Sequence, residues 1–195
     1  MRKSANKLTK HECNYASSTT YPQIKHEVMQ KTNVLFNSLG QKLGQLEVLH
    51  PLPLNANYKI SKGENYQLMP YMVLDYPQLK DKAFKMVLRT MFWWGHHFSC
   101  QLIMQTACIN LDAVALNLAG LRKTSILTDS DIWNHDATST NYTKLKHLNT
   151  EQVRQILEQQ PYLKLISTHP IETFNNFEER AMKQYKKWMA GLELA

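Results

Sequence analysis

The sequence predicts an α+β protein: a mainly antiparallel sheet with a long N-terminal helix and a C-terminal helix packed on one face. Three observations predict it. Apolar residues recur at helical spacing from Ile24 to Leu46, and a period of two runs from Phe84 to Met104. The last third alternates a capped helix, a short apolar strand and a second amphipathic helix. At 195 residues the chain can bury a self-sufficient core. It divides into a flexible N-terminal arm, residues 1–19, and a single α+β domain, residues 20–195.

Residues 1–19 are polar without a clear period, hence the arm. The first helix begins at Thr20-Tyr21-Pro22-Gln23: Thr20 caps it, Pro22 suits its first turn, and Gln23 takes the capping-box position. Ile24, Val28, Leu35, Leu39, Leu43 and Leu46 form its apolar stripe. Pro51 and Pro53 end it. Residues 57–76 read as extended, with Lys62-Gly63 as a turn and Pro70 at an edge or bulge.

From Phe84 to Met104 every second residue is nearly always apolar, including Leu88, Phe92, Trp94, His96, Phe98, Cys100 and Leu102 in order. The alternate set, with Arg89, Met91, Trp93, His97, Ser99 and Gln101, is mixed. Such a period means strand. The run is longer than an ordinary strand, so Gly95 breaks it as a bend or a hairpin tip.

Residues 110–122 read as a short helix with Val114, Leu118 and Leu121 on one side, and "TSILT" (124–128) as a strand. Residues 129–147 form a long polar loop, a kind that is often functional, with Asp129 and Asp131 in a turn. Asn149 caps the next helix with Gln152 at the box position, and Leu148 and Val153 form a staple. Pro161 ends that helix and "YLKLIS" (162–167) is a strand. Thr173 starts a last helix with Phe174, Phe177, Ala181, Tyr185, Trp188 and Leu192 on one face.

The net charge of +7 is dispersed and permits nucleic acid or acidic partners. Three cysteines without framework spacing, no visible signal peptide and no apolar run of membrane length predict a cytoplasmic protein with no membrane partner. "FWWGHHFSC" (92–100) contains ligand-type residues. On a strand, however, His96 and His97 face opposite ways, and His96 and Cys100 keep core company. No metal and no cofactor are expected. A Cys-His enzyme would pair Cys100 or Cys108 with a histidine, Cys108 lying just before a helix start. A nucleic-acid binder would stack bases on Tyr66, Tyr71, Tyr76 and Trp93 beside Arg89. The mixed strand face is either an amphipathic groove for a ligand or partner, or a solvated face with Trp93 covered by the N-terminal helix.

"GENYQLMPYMVLDYP" and "RTMFWWGHHFS", with the later "DIWNHDATSTNY" and "FNNFEERAMKQYKKWM", resemble an uncharacterised bacterial, Bacteroidetes-type family. Its pattern runs GENY, GLPY, LDYP and RTMFWWGNFFS. This chain departs from it at Gln67-Leu68-Met69 and at His96-His97. The resemblance implies no activity. It marks Tyr66, Tyr71, Asp75, Tyr76, Arg89 and Trp93 as residues of a shared site, and the mixed face adds His97. The leading expectation is a non-enzymatic module that binds a protein partner or small ligand. A nucleic-acid-binding protein and a Cys/His enzyme are the alternatives.

Overall fold

The computed structural model describes residues 7–46, 56–79 and 84–192. In chain order the elements are α1 (Lys10–Ser17), α2 (Thr20–Gly44), β1 (Lys59–Tyr66), β2 (Met69–Tyr76), β3 (Met86–Trp93), β4 (His97–Gln105), α3 (Leu111–Leu118), β5 (Ser125–Leu127), β6 (Tyr142–Lys144), α4 (Thr150–Gln159), β7 (Tyr162–His169) and α5 (Phe177–Gly191). The strands form one seven-stranded sheet in the order β1-β2-β3-β4-β7-β5-β6, with each described pair antiparallel. The fold is α+β. No helix among the described residues is long and apolar enough to cross a membrane.

The two faces of the sheet differ in kind. On one, Leu74, Leu88, Phe92, Phe98, Leu102 and Leu165 pack against Phe36, Leu39 and Leu43 of α2, Val114 and Leu118 of α3, Val153 and Leu157 of α4, and Phe177 and Trp188 of α5. This is the main core, built by the stripes and the alternation seen in the sequence. The other face carries a small apolar cluster, Val73, Met91 and Trp93, together with buried Val87, Ile103 and Ile166 and several polar side chains. Tyr185 of α5 anchors β3 from the helix side. Its hydroxyl donates to the Arg89 carbonyl at 2.8 Å and accepts from Thr90 Oγ1 at 2.8 Å.

The N-terminal region differs from its expectation. Residues 10–17 are helical, started by a reciprocal capping box between Thr9 and Glu12, and α1 buries no residue. The long helix α2 starts where expected, but Thr19 is its N-cap and makes no side-chain capping bond. Of the stripe, Leu39 and Leu43 are buried while Ile24 is exposed. Pro51 and Pro53 lie outside the described residues.

Lys62-Gly63 is not a turn. Both residues sit within β1, ahead of a register shift between Gly63 and Tyr66. Gly63 is opposite Tyr71, whose ring would lie 2.5 Å from a Cβ added there. The glycine admits the ring, so its signal is close approach rather than reversal. The chain instead reverses at Gln67-Leu68, both at positive φ (49° and 66°). The Asn65 side chain supports this tip by accepting the Leu68 N–H at 3.1 Å. Two-residue hairpin tips of this hand favour Asn-Gly, which is why Gln-Leu gave no turn signal. Leu68 is 84% exposed, so its side chain offsets little of the backbone cost. Leu68→Gly is expected to raise the unfolding free energy by about 1 kcal/mol in urea titrations. A loss of stability would mean that the leucine makes a contact that matters.

Gly95, at φ +74°, tips the hairpin between β3 and β4, so the long alternating run is two strands. The turn also corrects His96. It is exposed and stacks on Trp93, the residue of the opposite face, instead of pointing into the core.

Candidate functional site

The antiparallel register places Asp75 of β2 directly opposite Arg89 of β3, and Arg89 opposite Gln101 of β4. Lys164 projects from β7, whose neighbour β4 pairs with it at Ile103. These side chains line the polar sheet face, and each is almost completely removed from water: Asp75 is 7% exposed, Gln101 and Lys164 0%. Buried polar groups are costly unless paired, so their partners decide what the cluster is.

Arg89 grips Asp75 through two parallel bonds, Nε to Oδ1 at 2.7 Å and Nη2 to Oδ2 at 2.9 Å. Its Nη1 lies 3.2 Å from His135 Nε2. A guanidinium only donates, so Nε2 carries no proton and Nδ1 carries it. The Nδ1–H then donates to Gln101 Oε1 at 2.8 Å, and Gln101 Nε2 donates to Ser99 Oγ at 2.9 Å. Burial, then Lys164 and Arg89, hold the imidazole well below its ordinary pKa, so it is neutral.

Lys164 Nζ donates to the carbonyls of Ile132 at 2.6 Å and Asn134 at 2.5 Å, and His135 Nδ1 lies 3.3 Å away. Nδ1 already bears a proton. That proton is already given to Gln101, so Nδ1 offers the lysine no lone pair. Burial first, then the Arg89 charge, also push this lysine well below its ordinary range, against an opposing pull from Asp131. Two N–H groups of Lys164 are thus held by backbone carbonyls, in a site that disfavours its charge.

What seals the cluster is the polar loop between β5 and β6. Its ends are paired, Thr128 N–H to Asn141 carbonyl at 2.8 Å. Side chains bond the backbone two residues on: Asp129 accepts from Asp131 N–H, Asp131 from Trp133, Asn134 from Asp136, and Asp136 from Thr138. These successive Asx turns explain the loop's composition and satisfy its backbone locally. The loop crosses the sheet face. Trp133 stacks toward Phe84 and lies 4.8 Å from the Arg89 guanidinium; His135 sits at the centre, its N–H bonded to the Tyr66 hydroxyl at 2.8 Å. Asp136 reaches the side chain of Gln67 at the hairpin end.

Tyr66, Tyr71, Asp75, Arg89, Trp93 and His97 thus share one face. Trp93 is 1% exposed, edge-on to Tyr66 at 5.1 Å, with its Nε1–H on the Tyr66 carbonyl. His96 covers its other side at 3.6 Å and an interplanar angle of 9°. His97 lies edge-on to Trp93, and burial, then His96, push its imidazole down. Tyr76 does not belong with them. As the neighbour of Asp75 on a strand it points to the opposite face, where it is buried in the main core. Nor does the N-terminal helix cover Trp93; α2 packs on the other face. The chain's own loop covers the mixed face from Asp75 to Lys164, and only its hairpin end, at Tyr66, Tyr71 and His97, stays partly open. That also leaves Tyr76, Trp93 and Arg89 unavailable as a base-stacking platform.

Sequence reasoning missed His135 and Lys164. A lysine inside an apolar strand and a histidine inside an Asp/Asn-rich loop were the signals, and neither reveals its partner.

Cys100 and His169 approach to 4.0 Å, Sγ to Nε2. Full burial pushes the thiol pKa up, and burial, with Arg180, pushes His169 down to about 4. Neither shift favours a thiolate-imidazolium pair. The Cys108 thiol points to Gln105 Oε1 at 3.9 Å. With a maleimide reagent, Cys13 is expected to react at once and Cys100 only after unfolding. Fast modification of Cys100 in the native protein would contradict its burial. Among the described residues no group of three or more His, Cys, Asp or Glu could hold a metal ion.

Fold and site together define an α+β protein with a polar cluster sealed against its sheet by an Asx-turn loop. No protein-family model, curated protein or solved structure matches the chain.

Proposed function

We propose that the protein is a non-enzymatic cytoplasmic binding module that takes a small ligand or protein partner at the hairpin end of the mixed face. One observation carries this reading: the exposed His96 lies flat on the buried Trp93, beside the half-buried Tyr66, Tyr71 and His97. Aromatic side chains held rigidly at an accessible rim give contact area at little entropic cost. The floor beneath them is hydrogen-bonded throughout, which fixes the rim geometry. The segments that resemble the bacterial family, GENY to LDYP and RTMFWWG, supply this rim and floor, and the resemblance adds no activity. Lys164 and His135 are buried beneath this rim, which leaves the aromatic rings as the surface a partner would meet.

Native mass spectrometry of the protein recovered from its own cells is expected to show an added mass. The Tyr71→Ala/His96→Ala variant should lose it while keeping its fold by circular dichroism. If that variant retains the added mass, the contact lies elsewhere. If wild-type protein carries none, the reading fails.

A further inference from the structure

A separate site lies on the helix side of the sheet, at its β1 edge. A groove of about 640 Å³ runs between α2 and β1, with Met29 and Val34 on one wall, Ile60 and Lys62 on the other, and Met72 as its floor. Its two walls are tied together at both ends. Lys25 of α2 pairs with Glu64 of β1, and the Tyr58 hydroxyl donates to Asn37 Oδ1 at 3.0 Å. Lys25 and Asn37 stand 12 positions apart on α2, about 18 Å along its axis. Between these ties the groove is lined on α2 from His26 to Val34, about 12 Å, with Gln30, Asn33 and Ser61 among its polar members, and this length accommodates a medium alkyl chain.

Its charge is one-sided. Lys62 is opposite Met72 in the register, so it shares the helix-facing side of β1 with Ile60 and Glu64. Glu64 is taken by Lys25, and among the described residues no carboxylate pairs with Lys62. His26 lines the same groove. Val34 is 70% exposed and Met29 only partly covered, so apolar surface beside the lysine faces water. A cation beside the apolar side chains of Met29, Val34, Ile60 and Met72 complements an alkyl chain ending in an anion.

We propose that this groove binds a medium-chain fatty acid, with its alkyl chain along Met29, Ile60 and Met72 and its carboxylate on Lys62. The test is calorimetric titration with decanoate, with methionine-methyl NMR to locate the ligand. Saturable binding is expected, with shifts at Met29 and Met72 and none at Met91 on the far face. Substituting 1-decanol for decanoate, or Lys62→Gln for wild type, should each weaken affinity about tenfold. Lys62 is exposed, so its variant should fold normally. Absence of decanoate binding would overturn the proposal. So would equal affinity for decanol, indifference to Lys62→Gln, or shifts centred on Met91. The groove and the polar cluster lie on opposite faces, so failure here leaves the mixed-face reading standing.

Discussion

Asp75→Ala is expected to cost about 3–5 kcal/mol of unfolding free energy, because it strands the Arg89 guanidinium in a site almost without water. Arg89→Ala should cost a similar amount, since it leaves the Asp75 carboxylate unpaired and removes the donor on His135 Nε2. The double replacement Asp75→Ala/Arg89→Ala should be much less harmful than the sum of the single changes. Breaking a buried pair exposes its desolvation cost, whereas removing both charges relieves it. Urea denaturation of the four proteins in the cycle gives the coupling energy. Single-variant losses below about 1 kcal/mol would place the pair in the class of solvated ion pairs and remove the rigid floor from the site.

Stability should also rise with pH above the depressed folded pKa of Lys164. Burial depresses its pKa in the folded protein, while the unfolded chain keeps its lysine protonated up to about pH 10.4. Between the depressed folded value and that limit the unfolded state binds the extra proton. Each pH unit then adds about 1.4 kcal/mol to stability. His135, and His169 at about 4, act in the same sense below about pH 6.5, where the unfolded imidazoles take up protons first. Cys100 acts the other way. Burial raises its thiol, so above about pH 8.5 the unfolded chain loses a proton that the folded one keeps, and this cancels the lysine slope. Tyr185 and Tyr142, both raised by burial, turn the curve down above about pH 10. A stability maximum is therefore expected between about pH 8.5 and 10, with Lys164→Met flattening the rise below 8.5. If wild type and variant show parallel profiles there, the lysine is charged in the folded protein.

The parts of the molecule legible in the sequence are those set by local spacing. Asn149 and Gln152 form their capping box, the Phe177 to Trp188 face packs on the sheet, and the alternation around Gly95 becomes the β3–β4 hairpin. The same period put Arg89, Trp93 and His97 on one face correctly. It would also have separated Asp75 from Tyr76, which the motif-based choice of site residues overrode. His96 escaped because a hairpin tip breaks the period that the prediction relied on. Gln67-Leu68 escaped because a strained tip was built from residues that do not announce one.

Residue spacing alone thus determined the fold class, the helix-bearing face and the membership of most of the mixed face, since burial period is a local property of the chain. The tertiary structure alone decided that this face is covered, and by what. Lys164 meets Asn134 across 30 residues, and Tyr66 meets His135 across 69. Such pairings depend on strand order and on where a long loop comes to rest. Neither leaves a periodic trace, because the energy that fixes them belongs to partners distant in sequence.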